Sequence, residues 1–277
     1  MKQRADAAIG LGAWRREPST QVRRGGTGPS TVSAPFAVIA ESEVPSTPLE
    51  WQPHTHPLHE LVWAHGGTMT VWLEGRVVTV PSGLGLWIPA EVLHGGRVTA
   101  GARFHNAFFD AQRSPVAFSA PTTIEMTAVL ESLLGYLGRD ALAPGPRMNA
   151  EAVVFDVIHP AALQLSLTLP GDPRIDAIVA ALLLDPADGR GVSEWAALVG
   201  ASERTIGRAF RASTGLSFQQ WRQALRMHTA LTLLSEGYEV QEASELLGYA
   251  QPSTFIASFK RVMGTTPGAF APGAVEE

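Results

Sequence analysis

The chain has 277 residues, of which 45% are hydrophobic, and a formal net charge of −5 at pH 7. This length suits two domains of ordinary size, and the apolar content is enough for two cores. No run approaches the roughly 20 apolar residues of a transmembrane helix, and the first residues lack the pattern of a secretory signal peptide. The chain contains no cysteine, which excludes disulfides and thiolate metal sites and fits a cytoplasmic location.

Residues 1–33 mix Gly, Ser, Pro, Thr and Arg without sustained periodicity, and this composition predicts a flexible segment. It holds six basic residues, Lys2, Arg4, Arg15, Arg16, Arg23 and Arg24. They could contact DNA phosphate, but a solvated tail is the favoured interpretation.

From about Phe36 to Phe109, short apolar runs alternate with glycine-containing turns. The predicted strands are Glu60–His65, Met69–Leu73, Arg76–Val80, Leu86–Ile88 and Phe104–Phe109. Many short strands at this spacing indicate a barrel or jelly roll. The tryptophans of this region, Trp51, Trp63, Trp72 and Trp87, are expected mainly in its core, although one could line a ligand pocket.

Six of the eight histidines fall between residues 54 and 105. His54 and His56 lie two residues apart, a spacing that points both side chains to one side of a strand. Glu60 and His94 could complete a set of three imidazoles and one carboxylate, which suits zinc, iron, manganese, nickel or copper. The alternative is that these histidines are structural or line a pocket for an organic molecule. His59, His65 and His105 are expected at the surface, in the barrel lining or packed on a strand.

Helical periodicity begins at Thr122 and predicts a helix over 122–138, with a second helix over 150–167 despite Pro160. The first helix carries Leu130, Leu133, Leu134 and Leu137, which we expect either to form a homodimer interface or to cover the barrel. Residues 170–173 read Pro-Gly-Asp-Pro and indicate a domain boundary. A helix is predicted over 174–184.

The last 85 or so residues contain one pattern twice: an apolar helix, a glycine turn at Gly200 or Gly248, and a second helix opening at Ser202 or Ser253. A helix from about Gln219 to Ser235 joins the copies. This is the layout of a helix-turn-helix, whose second helix enters the major groove of DNA. Residues 190–277 hold eight basic and eight acidic side chains, so we expect only modest non-specific affinity.

The C-terminal region resembles the double helix-turn-helix domain of the AraC/XylS family of transcription regulators over roughly residues 172–270. The motifs that carry the resemblance are Ala243–Tyr249, Ser253–Arg261, Gly264–Gly268 and, in the first copy, Phe210-Arg211, Thr214-Gly215 and Phe218. The resemblance implies base contacts from Arg204 and Arg208, beside Ser202 and Thr205. In the second copy, Ser253, Thr254 and Ala257 are expected to face the groove and Lys260 or Arg261 the phosphates. These short side chains predict that the second copy reads shape and backbone more than bases, with Phe255, Ile256 and Phe259 in the core.

The histidine region resembles a cupin. The first cupin motif, His-x-His, three residues, Glu, six residues, Gly, is complete from His54 to Gly67. In the second motif Gly83, Pro89 and His94 fit, whereas Glu91 and Val98 replace a glycine and an asparagine. All four ligand positions of a cupin are therefore filled, and the departures concern local turn geometry.

The expected fold is therefore α+β and multidomain: a flexible segment at 1–33, a cupin-like sensor and dimerisation domain at 34–168, and an all-α DNA-binding domain at 172–272. The expected function is a cytoplasmic, sequence-specific transcription regulator that senses a metal ion or small molecule. Its expected partners are promoter DNA, an effector, a second copy of the chain and RNA polymerase, with no membrane. The alternative is a metal-dependent cupin enzyme, of dioxygenase or isomerase type, fused to a DNA-binding domain. A constitutive architectural DNA binder leaves the barrel unexplained.

Overall fold

A computed structural model describes residues 19–25, 28–116 and 118–270. The chain forms two compact units. We call residues 19–71 and 80–164 the barrel unit, and residues 72–79 with 165–270 the helical unit. Within the segment predicted to be flexible, residues 1–18 and 26–27 lie outside the described part, and Gln21–Arg23 form a strand.

The barrel unit contains two sheets. Its strands are β1 Gln21–Arg23, β2 Val38–Glu43, β3 Leu49–His54, β4 His59–His65, the start of β5 Met69–Leu73, β7 Leu84–Ile88, β8 His94–Val98, β9 Arg103–Phe109 and β10 Thr122–Glu125. One sheet has the order β10-β7-β4-β9-β2, and the other contains the run β1-β3-β8-β5. The predicted barrel-type architecture is confirmed.

Side-chain alternation along β9 separates an inner cavity from an outer core. Phe104, Asn106 and Phe108 line the cavity between the sheets, whereas Ala107 and Phe109 face the opposite side. Strand β4 follows the same rule, with Glu60 and Val62 inward and Leu61 and Trp63 outward. The sheets thus enclose a cavity while their outer faces remain available for helices.

The prediction of a helix over 122–138 is wrong for its first residues. Residues Thr122–Glu125 instead form β10, which pairs antiparallel with β7, and helix α1 spans Ala128–Leu137. Thr127 caps this helix by accepting a hydrogen bond from the N–H of Leu130. An apolar residue at every second position of a short stretch fits a strand as well as a helix, and pairing with β7 decides between them.

The second predicted helix, over 150–167, is also wrong in its bounds. Helix α2 spans Pro144–Val157 and ends at Ile158, whose backbone is extended. The backbone N–H groups in the first turn of a helix have no partner within the helix, so a proline there removes no helical hydrogen bond. Pro144 can therefore begin the helix, whereas Pro160 lies beyond its end. Residues Ser166–Thr168 form strand β11 of the helical unit.

Helices α1 and α2 cover the outer face of the β10-β7-β4-β9-β2 sheet. Leu130, Leu134 and Leu137 are at most 4% exposed and pack with Leu61, Trp63 and Trp87 in one apolar cluster. Leu133 is partly buried against it. These leucines therefore cover the barrel, and the expectation that they form a dimer interface is wrong.

The helical unit contains α3 Asp176–Leu184, α4 Val192–Val199, α5 Glu203–Thr214, α6 Phe218–Ser235, α7 Val240–Leu246, α8 Pro252–Met263 and a 3₁₀ turn at Pro267–Phe270. Strand β11 joins it by pairing antiparallel with β6, Arg76–Val80. Its core gathers side chains from β11 and helices α3–α6, including Leu167, Trp195, Phe210 and Trp221. The pair α4–α5 contributes to this core, whereas the pair α7–α8 packs on α6.

Candidate functional site

Three histidines converge at one side of the barrel cavity. His54 ends β3 and His94 begins β8, and the two residues are paired across these strands. His56 lies in the loop that follows, and the ligand atoms of the three rings lie within 4.8 Å of one another. Glu60 points inward from β4 beside them, with a side chain only 9% exposed. The structure thus brings together all four residues that the spacing predicts.

Backbone carbonyl groups orient all three rings in the same way. Each Nδ1 lies 2.7–2.9 Å from a carbonyl oxygen: His54 contacts Gln52, His56 contacts Leu58, and His94 contacts Val92. A carbonyl oxygen only accepts hydrogen bonds, so each Nδ1 carries the proton and the neutral ring keeps a free lone pair on Nε2. Metal-binding histidines are commonly oriented by such contacts to the second ring nitrogen.

Glu60 provides the negative charge of the cluster. The Nε2 atoms of His56 and His94 each lie 3.2 Å from its Oε2. Burial alone would raise the pKa of Glu60, but the two imidazoles outweigh this effect and lower the pKa to about 2. For His56, burial opposes the charged form, while the hydrogen bond and charge of Glu60 prevail and raise its pKa. Burial and the neighbouring His94 lower the pKa of His54 to about 4.

This donor set fits a divalent transition metal. The buried Nε2 of His94 lacks a hydrogen-bond partner among the described residues, although it lies close to Glu60. Two imidazole lone pairs that face one carboxylate oxygen are electrostatically unfavourable unless a proton or a cation lies between them. Three imidazole nitrogens and one carboxylate supply the ligand types that zinc and its neighbours in the periodic table prefer.

The histidine cluster opens into a cavity of about 340 Å³. Beyond the histidines its lining combines apolar side chains with polar and charged ones, which include Arg23, Glu41, Ser42, Glu43 and Asn106. The apolar side chains come from both sheets and are Trp51, Val62, Met69, Val71, Ile88, Phe104 and Phe108. Most small-molecule sites combine an apolar wall with a few convergent polar groups in this way.

The segment before β2 also contributes to the site. No periodic pattern in residues 19–37 predicts this contribution. Strand β1 pairs parallel with β3, and Arg23 forms an ion pair with Glu43 at 2.8 Å beside the cavity. A Cβ atom on Gly25 would lie 2.2 Å from Nδ1 of His54, and one on Gly28 would lie 2.8 Å from the ring of Phe108. Only glycine fits at these two close approaches.

The remaining histidines of the barrel unit have other partners. His59 accepts a hydrogen bond from the N–H of Ala90 at 2.9 Å, and His65 pairs with Glu131 at 3.2 Å. His105 stacks on Trp63 with ring centroids 4.8 Å apart, and burial lowers its pKa to about 4. These three residues lie outside the metal-type cluster, as the sequence predicts.

Both predicted helix-turn-helix pairs are present in the helical unit. In the first, α4 ends at Gly200 with φ +67°, and Ser202 caps α5 by accepting a hydrogen bond from the N–H of Thr205 at 3.1 Å. In the second, α7 is followed by Gly248 with φ +74°. The N-cap of α8 is Gln251, with Pro252 in the first turn, so Ser253 lies inside the helix and its predicted capping role is wrong.

The second helix of each pair buries one face and leaves the other exposed. Ile206, Ala209 and Phe210 of α5, and Phe255 and Phe259 of α8, are fully buried, as predicted. Ile256 was predicted in the core as well, but it is 37% exposed. The residues proposed to contact DNA are exposed, apart from the partly buried Thr205; they are Ser202, Arg204, Arg208, Ser253, Thr254, Ala257, Lys260 and Arg261. Their individual roles remain predictions.

Comparisons with known proteins match both halves of the chain. Residues 47–112 match the AraC-like ligand binding domain, and residues 195–272 match a helix-turn-helix domain. The transcriptional regulator NimR of Escherichia coli is 29% identical over 242 residues, which are 85% of this chain and 86% of NimR. The chain belongs to the AraC family of transcriptional regulators.

Other relatives of this AraC-family regulator include the transcriptional regulator RipA of Corynebacterium glutamicum. It is 29% identical over 219 residues, which are 78% of this chain but only 62% of RipA. Among solved structures, ToxT from Vibrio cholerae is 9% identical over 85% of this chain and 98% of ToxT, with a TM-score of 0.35. The C-terminal domain of AraT from Geobacillus stearothermophilus is 23% identical over 36% of this chain and 84% of that domain, with a TM-score of 0.34.

The family assignment decides between the two classes of function that the cupin-like motifs left open. The curated relatives are transcriptional regulators and not enzymes, and this AraC-family regulator binds DNA through its helix-turn-helix region. Its barrel is a ligand-binding domain. None of the helices in the described part of the chain has the length and hydropathy of a membrane span.

Proposed function

We propose that this regulator changes its affinity for promoter DNA when a divalent transition metal, with or without an organic effector, binds in the barrel cavity. The observation that carries the proposal is the convergence of the three Nε2 lone pairs of His54, His56 and His94 beside the Glu60 carboxylate. These four residues would hold the ion. A bound ion would supply a Lewis-acid attachment point for an oxygen or nitrogen donor of the effector.

An organic effector without metal is the second candidate, and the lining of the cavity supports it. The walls combine apolar side chains with polar and charged ones, and Arg23, Ser42 and Asn106 are among the groups able to orient a ligand. In both cases regulation requires that the ligand bind with different affinity to the DNA-bound and the free protein, because equal affinity shifts no equilibrium. The same cavity thus serves either candidate, and the metal content of the protein distinguishes them.

The helical unit supplies the DNA contacts in this proposal. Arg204 and Arg208 on α5 read bases in the major groove, and arginine pairs bidentately with guanine. Lys260 and Arg261 on α8 contact phosphate. The support is their exposure on one face of each helix, opposite the buried side chains. We place this activity in the cytoplasm, with RNA polymerase as a partner at the promoter.

We also propose a homodimer, through a surface other than the buried leucines of α1. The apolar side chains that the helices of the barrel unit leave exposed are Val129, Met148 and Val153, with 41–50% exposure. Light scattering at micromolar concentration, with and without added metal, tests this assembly. A monomer under both conditions would exclude it.

The deciding experiment measures metal content and DNA binding on the same protein. The chain is purified without a histidine tag and without chelator, and its metal is quantified by mass spectrometry. An operator selected from random duplex DNA then reports affinity with and without metal. We expect the double variant His56→Ala/His94→Ala to lose metal uptake and the response while keeping basal DNA binding.

The matched control replaces His159, whose side chain is 53% exposed and lies outside the cavity, with alanine. This variant should take up metal and respond like the parent protein. If the double variant still responds normally, the three histidines are structural or line a pocket for an organic molecule, and the metal proposal is wrong.

A further inference from the structure

The two recognition helices, α5 and α8, can be aligned residue by residue from their N-caps. Ser202 caps α5 and Gln251 caps α8, so the alignment adds 49 to each number (251 minus 202). Under this alignment, the buried positions of one helix fall on the buried positions of the other. The pairs are Ile206 with Phe255, Ala209 with Ser258, and Phe210 with Phe259. The remaining positions can therefore be compared as equivalent parts of two outward faces.

The outward faces differ in chemistry. Arg204 and Arg208 of α5 correspond to Ser253 and Ala257 of α8, so the second helix has short side chains where the first has guanidinium groups. Gly207 corresponds to Ile256, which is 37% exposed although its neighbour Phe255 is fully buried. The outward face of α8 therefore carries short side chains where α5 carries arginine, and a branched apolar side chain where α5 carries glycine.

We propose that Ile256 reads the 5-methyl groups of thymine in the major groove. The thymine methyl group is the apolar feature of the major-groove base edges, and apolar side chains recognise it by contact. Ser253 and Ala257 are short enough to let the helix approach the base edges closely. Lys260 and Arg261, one and two positions beyond the buried Phe259, are exposed and offer the positive charge that phosphate requires.

This inference rests on the proposed placement of α8 in the groove, and it replaces the expectation that the second copy reads mainly DNA shape. It assigns the two copies different base preferences: guanine for α5 and thymine for α8. An operator for this protein should thus contain a guanine-bearing half-site and a half-site with at least one required thymine.

The test removes single methyl groups from the DNA. The full-length protein first selects an operator from random duplex DNA, and each thymine of that operator is then replaced, one at a time, by deoxyuridine. Removing the methyl group that Ile256 contacts should weaken binding of the parent protein by about fourfold. Ile256→Ala should bind the thymine operator more weakly by a similar factor and should be insensitive to deoxyuridine at that position.

Val262→Ala is the matched control, because Val262 is 36% exposed and lies on the same helix beyond Arg261. It should keep the deoxyuridine sensitivity of the parent, and circular dichroism should show that both variants retain the helical content. If no thymine position distinguishes the parent from Ile256→Ala, this inference is overturned while sequence-specific binding stands. If selection enriches no sequence at all, the proposed mode of DNA binding fails, and this inference fails with it.

Discussion

The indole N–H of Trp221 donates a 2.8 Å hydrogen bond to the carbonyl oxygen of Thr168. This bond joins helix α6 to strand β11 inside the helical unit, where Trp221 is fully buried. Trp195 lies in the same apolar cluster and is equally buried, but its indole nitrogen has no hydrogen-bond partner among the described residues. The two tryptophans therefore differ in this hydrogen bond, while the ring of Trp195 has a contact of its own with the Arg190 guanidinium, 3.8 Å from the ring centroid.

We expect Trp221→Phe to lower the free energy of unfolding by more than Trp195→Phe does. Both changes shrink a buried ring, whereas only the first removes a hydrogen bond, worth about 0.5–1.5 kcal/mol net. Urea unfolding followed by circular dichroism measures the difference. Equal losses would mean that the bond to Thr168 adds nothing to stability.

Glu91 occupies a backbone conformation that suits glycine. Its φ is +63°, at the position where the cupin motif has a glycine, and its N–H donates to the carbonyl oxygen of His56 at 2.9 Å. An L-residue in this region costs about 1–2 kcal/mol, whereas glycine loses about 0.5–1 kcal/mol of extra chain entropy on folding. Glu91→Gly should therefore raise the free energy of unfolding by about 0.5–1 kcal/mol.

The control for this variant is Ala90→Gly, because Ala90 is adjacent and is not among the residues with positive φ. The new glycine increases the chain entropy that is lost on folding but relieves no backbone strain, so this variant should have a lower free energy of unfolding. Thermal unfolding measures the change in stability of each variant relative to the parent. The two changes have opposite signs if the backbone of Glu91 is strained, and the same sign if it is not.

Stability should depend on pH through His228. Its Nδ1 lies 3.0 Å from Oγ1 of Thr79, and complete burial lowers its pKa from 6.5 to about 4. On acidification, His228 is therefore protonated at a higher pH in the unfolded chain than in the folded one. The stabilisation that comes from this pKa difference is fully present above pH 6.5 and is lost as the pH drops toward 4. The loss reaches about 3 kcal/mol across this window.

The variant His228→Gln keeps a group able to hydrogen-bond Thr79 but removes the titration. Its free energy of unfolding should fall less steeply between pH 6.5 and 4.5 than that of the parent, as measured by urea titration at several pH values. His159→Gln, which changes an exposed histidine, should keep the slope of the parent. Parallel slopes for all three proteins would show that His228 does not carry this dependence.

Base reading by the first copy is tested at Arg208, which is exposed on α5. Arg208→Ala should lose about 1–3 kcal/mol of discrimination between the selected operator and scrambled DNA, because a bidentate contact with guanine is lost. The control Arg174→Ala removes an exposed arginine that lies outside both helix pairs. Fluorescence anisotropy measures the affinity of both variants for the operator and for the scrambled DNA. Unchanged discrimination in Arg208→Ala would place base reading elsewhere.

Local sequence patterns were sufficient to predict many of the strands of the barrel. Strands β5 and β6 have the predicted bounds, because β-rich runs flank the Glu74-Gly75 turn and no other element competes for them. Strand alternation predicts that His54 and His56 lie together, and the resemblance to the cupin motifs implies the same site for Glu60 and His94.

Features that depend on tertiary neighbours could not be predicted in this way. Strand β1 lies in a Gly- and Arg-containing segment, and only its pairing with β3 defines it. Residues Thr122–Glu125 read as a helical turn until β7 supplies hydrogen bonds. Ile256 is apolar and adjacent to a core residue, so only the rotation of α8 against its neighbours shows that it faces outward.

The contact between Thr79 and His228 joins positions 149 residues apart along the chain. At about 5–20 residues per second, a ribosome makes the second residue on the order of ten seconds after the first. In the first part of that interval, before residue 165 is made, the hairpin tip at 72–79, which includes the nearly fully buried Trp72, has none of its partners from residues 165–270. Each newly made chain thus carries an unshielded apolar strand edge until strand β11 and the helices that follow it have been made, and this edge is where chaperone capture or aggregation of the nascent protein should begin.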